Sequence, residues 1–275
     1  MLVVALVTLG RSVDAETPEL AAALGVTPYE AGQLLRGGTP SLVLRTTDRG
    51  RALGLLSQLR ERGHDAVAFD DAAVVSSEEM FQIRSFALEP DALVCACPGR
   101  PEERVAFADL TALVRAVHQT RSEATSTTRE RSVSLGRIAL SGGLLPTKTI
   151  TKETKQTSDT REPVLYLFRR TKAPVLLGAT RARYGGLGAD VRPAQHQNFE
   201  RLIAILRSLA PGAQYDTRLL SLRAGAQEKL SSGRRGEHSA SSASGVDVLA
   251  HTVALVLSRS PDEPRPAPAG SSFRR

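Results

Sequence analysis

The stretch Ser41–Phe69 constrains the fold more than any other part of the chain. Ala52, Leu55, Leu56 and Leu59 recur at i, i+3, i+4 and i+7, which lays one apolar stripe along a helix over Asp48–Arg62. Thr46 or Thr47 is placed to cap its first amides, and Gly63 to supply a left-handed stop. Strand-like runs flank it, SLVLR at Ser41–Arg45 and a segment over Asp65–Phe69 in which Val67 and Phe69 alternate with smaller residues. A striped helix between two short strands has to bury its stripe on a sheet, and this selects a layered α/β arrangement.

The same pattern extends back to the first residue. Leu2–Leu9 is a strand candidate, and Thr17-Pro18-Glu19 is a helix-start signal for a short helix over Glu19–Leu24 that Gly25 closes. Thr27-Pro28-Tyr29-Glu30 repeats the signal for a second helix ending at Gly37-Gly38. Residues 1–71 thus read as a β-α-α-β-α-β two-layer module. In the order and lengths of its elements, Tyr29–Phe69 (YEAGQLLRGGTPSLVLRTTDRGRALGLLSQLRERGHDAVAF) resembles the C-terminal domain of the bacterial ribosomal stalk protein and the related ClpS-like folds. The resemblance implies a fold. The stalk domain binds translation factors through lysines flanking a Glu-Ala pair; here Tyr29 and Gly32 flank Glu30-Ala31, so factor binding is not implied.

Residues 72–84 read as a connector, and 85–222 as a second, β-rich module. Within it, 125–160 is rich in Ser and Thr and is expected to form a long basic hairpin, about 121–160 overall, with an apolar patch around Leu135–Leu145. Val164–Arg169 and Pro174–Leu177 are strands, and Asn198–Leu209 is an amphipathic helix with Phe199, Leu202, Ile203, Leu206 and Leu209 on one stripe. Several strands closed by one such helix resemble the pleckstrin-homology-like layout, which implies a small barrel plugged by the helix and no particular ligand. Residues 223–244 read as a flexible linker, 245–259 as a short docking helix striped by Val246, Leu249, Val253 and Val256, and 260–275 as a disordered tail. The expected class is α+β.

Charge divides unevenly. Residues 1–114 carry a net −6 and residues 115–183 a net +9, within an overall +7. Such asymmetry suits contact with a polyanion, attraction between the two halves, or solvated surface. The positions that qualify for polyanion binding are Arg121, Arg129, Arg131, Arg137, Lys148, Lys152, Lys155, Arg161, Arg169 and Arg170. Few aromatic residues lie beside them to stack bases, and no helix-turn-helix, zinc-finger or RNA-recognition pattern is present.

Other motifs reduce to structure. Cys95 and Cys97 project from one face of a strand, lack the further ligands a zinc site needs, and suit core packing in a reducing compartment. Tyr184-Gly-Gly-Leu-Gly188 does not open directly into a helix, as a phosphate-cradling loop should. Asp247 and His251 stand at i, i+4 and suit a helix salt bridge, and no nucleophile motif accompanies any histidine. The opening MLVVALVTLG lacks a basic leader and is too short to cross a bilayer. The expectation is therefore a cytoplasmic, non-enzymatic interaction or regulatory protein with a protein partner, no cofactor, no metal and no membrane insertion. Sequence-independent nucleic-acid binding through 115–183 is the alternative.

Overall fold

The computed structural model describes residues 1–133, 147–221, 229–232 and 237–259, and gives the backbone alone for the described residues within 122–157 and 229–240. The N-terminal part has the expected order. Strand β1 (Leu2–Thr8) leads to α1 (Val13–Leu24), α2 (Pro28–Arg36), β2 (Ser41–Thr46), α3 (Arg49–Glu61) and β3 (Asp65–Asp70). Helix α1 begins before Thr17-Pro18, because the Ser12 side chain caps Ala15 N–H and Asp14 and Glu16 suit the first turn. Pro18 then lies inside the helix, where Thr17 Oγ1 donates to the Val13 carbonyl at 2.7 Å. Gly25 ends the helix at φ 71°, a conformation that a side chain would strain. Thr27 and Glu30 form a reciprocal capping box on α2. Asp48, rather than Thr46 or Thr47, caps α3, while Thr46 Oγ1 accepts from Asp48 N–H.

The three strands pair antiparallel in the order β2-β1-β3. The helices cover one face, where Leu20, Ala31, Leu35, Ala52, Leu55 and Leu59 pack on Val4, Leu6 and Ala66. The other face carries Val3, Ala5, Val7, Val67 and Phe69 and is also buried. A five-residue run buried on both sides, Val3 to Val7, is what a continuous apolar strand rather than an alternating one requires.

Beyond residue 71 the chain forms two further sheets. Strand β4 (Phe81–Ile83) falls within the expected connector and joins the large sheet. Strands β5 (Ser85–Leu88), β6 (Ala92–Ala96) and β7 (Glu103–Ala106) form a small antiparallel meander of their own. The large sheet is built on β8 (Leu110–Val133) and β9 (Thr147–Arg169), joined by β10 (Val175–Gly178) and, after α4 (Gln195–Leu209), by β11 (Gln214–Asp216). Two segments of the expected linker, β12 (Lys229–Ser232) and β13 (Glu237–Ser241), pair as a hairpin and extend the sheet. Its order is β12-β13-β8-β9-β10-β4, with β11 beside β8.

This sheet stays open, so the strands do not close into the barrel that a pleckstrin-like layout implies. The fold is mixed α+β with several sheets. Helix α4 lies with the meander on one face of the large sheet, where Phe199, Leu202, Ile203 and Leu206 meet Leu113, Leu165 and Leu167. The opposite face is covered by α5 (Ala243–Leu257). Val246, Leu249, Ala250 and Val253 of α5 pack on Val114, Val164, Tyr166 and Leu176 of the large sheet. Val248 on its other side joins the second face of the N-terminal sheet, with Leu255 and Val256 packed alongside. The expected docking helix is thus a wedge between two sheets, and its apolar stripe is one of two. Covering both faces with separate helices leaves no space for the large sheet to curl on itself. No helix of the described residues is long and apolar enough to cross a membrane.

Candidate functional site

Two places on the large sheet hold the residues of interest, the β8–β9 ribbon and a crevice at its foot. The strands pair without interruption from Ala112↔Phe168 to Val133↔Thr147. Ordinary strands run to about ten residues, whereas β8 has 24 and β9 has 23. Strand β13 flanks β8 over Thr120–Ala124, and β10 flanks β9 over Val164–Leu167. From Thr125↔Lys155 to Val133↔Thr147 the ribbon is two-stranded among the described residues. Nine residue pairs at about 3.3 Å each make this distal part roughly 30 Å long.

The ten basic positions expected to bind a polyanion fall along this ribbon and are not gathered into one patch. Arg129, Arg131, Lys148, Lys152 and Lys155 occupy distal register positions, and Arg137 lies outside the described residues, as does the Leu135–Leu145 patch. Arg121 and Arg161 are exposed nearer the base, and Arg170 just beyond the end of β9. Arg169 is structural. Its guanidinium is nearly buried, bonded to Glu103 and to the Ala173 carbonyl, and Lys172 reaches the same Glu103 at 3.0 Å. Of the other basic residues in 115–183, Arg115 pairs with Glu200 and lies over the Phe199 ring. Much of the positive charge around the base is therefore matched by carboxylates.

The crevice was not visible in the sequence. A shallow crevice, with room for about one water, is lined by Gln82, Arg84, His118, Glu162, Gly178 and Arg181, among others. These come from β4, β8, β9 and β10, four neighbours in the sheet, and from the residues after β10. His118 and Glu162 stand directly opposite in register. Glu162 is buried, accepts from Thr180 Oγ1 at 2.8 Å, and pairs with Arg181 Nε at 2.7 Å. Its carboxylate lies where a Cβ on Gly178 would stand, only 2.5 Å from Oε1, so a side chain there would have to displace the Glu162 carboxylate.

Behind the crevice runs a buried polar chain. His118 Nε2 lies 2.6 Å from Tyr166 Oη, which donates to Asp247 Oδ1 at 2.6 Å; Asp247 Oδ2 accepts from the Ser77 N–H at 2.8 Å. Burial, and then the Arg181 charge, push the His118 imidazole down to about 4. Burial raises the Asp247 carboxyl above its usual range, although its hydrogen bonds to Tyr166 and Ser77 oppose the shift. Burial, reinforced by Asp247, holds the Tyr166 phenol well above its usual value. The chain ties the connector, the large sheet and α5 together. A faint signal existed in the sequence: His118 continues the apolar row Ala112, Val114, Ala116, and Tyr166 sits between Val164 and Phe168 on the facing strand. A polar side chain in a buried row needs a partner.

The remaining candidates resolve structurally. Asp247 does not pair with His251, whose ring packs against Phe69 with centroids 5.0 Å apart; the salt bridge is lost because Asp247 faces Tyr166 and Ser77. His196, in the first turn of α4, is exposed, and Asp190, in the approach to that helix, pairs with Arg201 at 2.9 Å. Cys95 is buried in the core, which raises its thiol to about 12, and Cys97 is half-buried. Tyr184–Asp190 forms a short 3₁₀ segment that ends well before α4.

A second buried cluster, also missed in the sequence, joins α1 to the end of α3. Glu16 is fully buried and receives Arg62 through Nε at 3.0 Å and Nη2 at 2.7 Å. His64 Nδ1 accepts from Gly10 N–H, and its Nε2 approaches Glu16 Oε2 to 2.7 Å but off the hydrogen-bond axis, so that contact is mainly electrostatic. Among the described residues no group of His, Cys, Asp and Glu is arranged to hold a metal ion. Comparison with protein-family models, with curated proteins and with solved structures finds no match for this chain, so the likenesses noted for 29–69 and 85–222 rest on element order alone.

Proposed function

We propose that the chain is a non-catalytic interaction protein that engages a protein partner through the distal β8–β9 ribbon. The observation that carries this reading is the unbroken pairing of nine residue pairs beyond the last flanking strand. An isolated two-stranded hairpin is at best marginally stable in water, and unpaired strand edges are templates for another chain. Residues 119–133 and 147–161 are dominated by Ser and Thr, with only Ala124, Val133 and Ile150 apolar. That composition favours extended backbone without a core face, so the edges rather than the faces are what the ribbon offers. The open sheet serves as a scaffold, and the two free thiols suit a cytoplasmic setting.

The test replaces residues 125–155 by Asn-Gly and compares the two proteins. The body should melt within a few degrees of the full chain, while a partner captured by a photo-reactive group at position 160, which both chains keep, should no longer be recovered from the shortened one. A partner retained by the shortened chain would overturn the reading.

Polyanion binding is the second reading, favoured by one specific observation. Arg121, Arg129, Arg131, Lys155 and Arg161 occupy positions that share one face of the ribbon by register. Glu123, Glu153 and Asp159 fall on the same face and reduce its surplus. Binding to labelled DNA or RNA that weakens steeply with salt, and is lost on neutralising Arg129, Arg131, Lys152 and Lys155 together, would move the assignment there.

A further inference from the structure

The outer edge of β9 is the longest unpaired strand edge among the described residues. Strand β10 covers it only from Val164 inwards, and Ser158, Asp159, Thr160 and Arg161, just outside, are exposed. One contact fixes the direction of its hydrogen-bonding groups. Ala179 N–H donates to the Pro163 carbonyl at 2.9 Å, so Pro163 turns that carbonyl away from β8. In an antiparallel ladder the N–H and C=O of one residue point to the same edge and alternate along the strand. The β8–β9 register is unbroken here, so the odd-numbered residues from Thr147 to Arg161 present both groups outwards. Gln119 on β8, opposite Arg161, agrees: its N–H and its carbonyl both turn outwards, to Ser242.

Direction, space and charge together restrict what can pair with this edge. A strand added antiparallel must set its own outward residues against those of β9. If that strand is β9 of a second copy, the two-fold axis then has to pass through a residue position and not between two. An axis closer to Pro163 than Thr154 drives the second copy's Thr147 end into Ala179 and β10. An axis at Glu153 or at Lys152 sets that charge against itself, and axes further out shorten the overlap. At Thr154 the whole of 147–161 pairs with its counterpart. Lys155 then falls opposite Glu153 on both sides of the axis, Thr151 falls opposite Thr157, and no like charges oppose each other. Opposite charges and Thr–Thr pairs are the favourable cross-strand neighbours.

We propose that the outer edge of β9 is a self-association surface, on which β9 of a second copy adds antiparallel about a two-fold axis at Thr154. The product is a four-stranded ribbon in the order β8-β9-β9-β8. This pairing rests on the reading of the ribbon as a contact surface and makes the partner the chain itself. An isologous contact closes at two copies, so it covers the edge instead of leaving it to propagate. The ribbon already takes one strand of similar composition within the chain, since Ser-rich β13 adds antiparallel to β8 over Thr120–Ala124.

Sedimentation of the full chain at micromolar concentration should give a dimer, and the chain with 125–155 replaced by Asn-Gly a monomer. Glu153→Lys sets cations against each other on both sides of the axis and should weaken association at least about tenfold. Glu153→Lys combined with Lys155→Glu should restore it. Thr154 would meet its counterpart in a non-hydrogen-bonded pair, with Cα atoms about 4.5 Å apart and within disulfide reach. Thr154→Cys in a Cys97→Ser background should therefore link two copies on mild oxidation. Thr160→Cys, about 40 Å from its own counterpart, should not. Circular dichroism matching that of the native chain establishes that the variants fold. A monomeric native chain, a dimer that survives loss of 125–155, no recovery in the double charge reversal, or linkage at 160 as ready as at 154 would each overturn the assignment. A monomeric chain that still delivers a different protein to the photo-reactive group at position 160 would overturn the second copy as partner while leaving the ribbon as a contact surface.

Discussion

One pair of strands, β8 and β9, runs in a single register through two environments. In the proximal part, Ala112, Leu113, Val114, Leu165, Tyr166 and Leu167 are fully buried, sandwiched between α4 on one face and α5 on the other. In the distal part the same backbone ladder continues while the sequence changes to Ser, Thr and charge. Backbone pairing is thus common to both, and side-chain composition is what differs. The proximal ribbon is held by tertiary packing, each buried aliphatic chain contributing about 1.5–3 kcal/mol. Among the described residues the distal ribbon has only its own backbone ladder, and the pairing of cross-strand neighbours in a two-stranded ribbon is worth a few tenths to about 1 kcal/mol a pair. A segment of the second kind is expected to contribute little to folding, which is what the proposed contact role requires.

The sharpest way to break this contrast is a truncation in each half. Leu165→Ala should lower stability by about 3 kcal/mol in denaturant unfolding, because it opens a cavity between α4 and the sheet. Thr151→Ala, at a distal register position, should change it by no more than about 0.5 kcal/mol. Similar losses at the two positions would mean that the distal ribbon is packed as firmly as the proximal.

The junction between the halves should be sensitive to pH. His118 is half-buried, with its folded value lowered to about 4 from 6.5. The unfolded chain therefore binds the proton more strongly, and stability falls as pH drops from about 6.5 towards 4, by at most roughly 3 kcal/mol. His251, also lowered by burial, acts in the same direction. Asp247 has the opposite sign: its raised value means the folded state holds the proton better, so its contribution weakens as pH rises above 3.8. Unfolding curves from pH 7 to 4 should flatten in His118→Gln, leaving the part due to His251. A slope unchanged by that substitution would remove His118 from the account.

A smaller effect is expected from Asp247→Ala. It leaves the Tyr166 hydroxyl and the Ser77 N–H without their acceptor in a buried setting, at a cost of about 2 kcal/mol. Asp247→Asn, which keeps a carbonyl acceptor, should lose less. Hydrogen exchange should locate the loosening at α5 and the adjoining faces of the two sheets while the distal ribbon exchanges as before.

The smallest effect on stability, and the largest on the proposed activity, is expected from the ribbon itself. Replacing 125–155 by Asn-Gly should shift the melting temperature by no more than a few degrees. A large shift would show that the distal ribbon supports the body rather than projecting a contact surface from it.

Much of the N-terminal part was legible because its signals are local. The α3 stripe of Ala52, Leu55 and Leu59, the Thr27–Glu30 capping box and the stops at Gly25 and Gly63 are each read within a few residues. The Ser- and Thr-rich composition of 125–160 suggested extended backbone, and the register of β8 on β9 was not in it. The linker was misread because Lys229–Ser232 and Glu237–Ser241 have no apolar alternation: their pairing depends on the edge that β8 offers at Thr120–Ala124. The crevice was hidden for a related reason, since its lining is drawn from positions as far apart as Gln82 and Arg181.

Helix α5 shows where the division between sequence and tertiary structure falls. Its periodicity determines that Val246, Leu249 and Val253 form an apolar stripe and that the segment is helical. Periodicity reports that a face avoids water, and says nothing about what covers it. Only the tertiary structure decided that α5 is covered twice, by the large sheet and by the second face of the N-terminal sheet. The same holds for Asp247, an interruption in an apolar run until Ser77, 170 residues away, and Tyr166 supply its partners. Local propensity and capping act between neighbours along the chain, and they set the elements. Burial and polar satisfaction act between residues that meet only once the chain has folded, and they set the site.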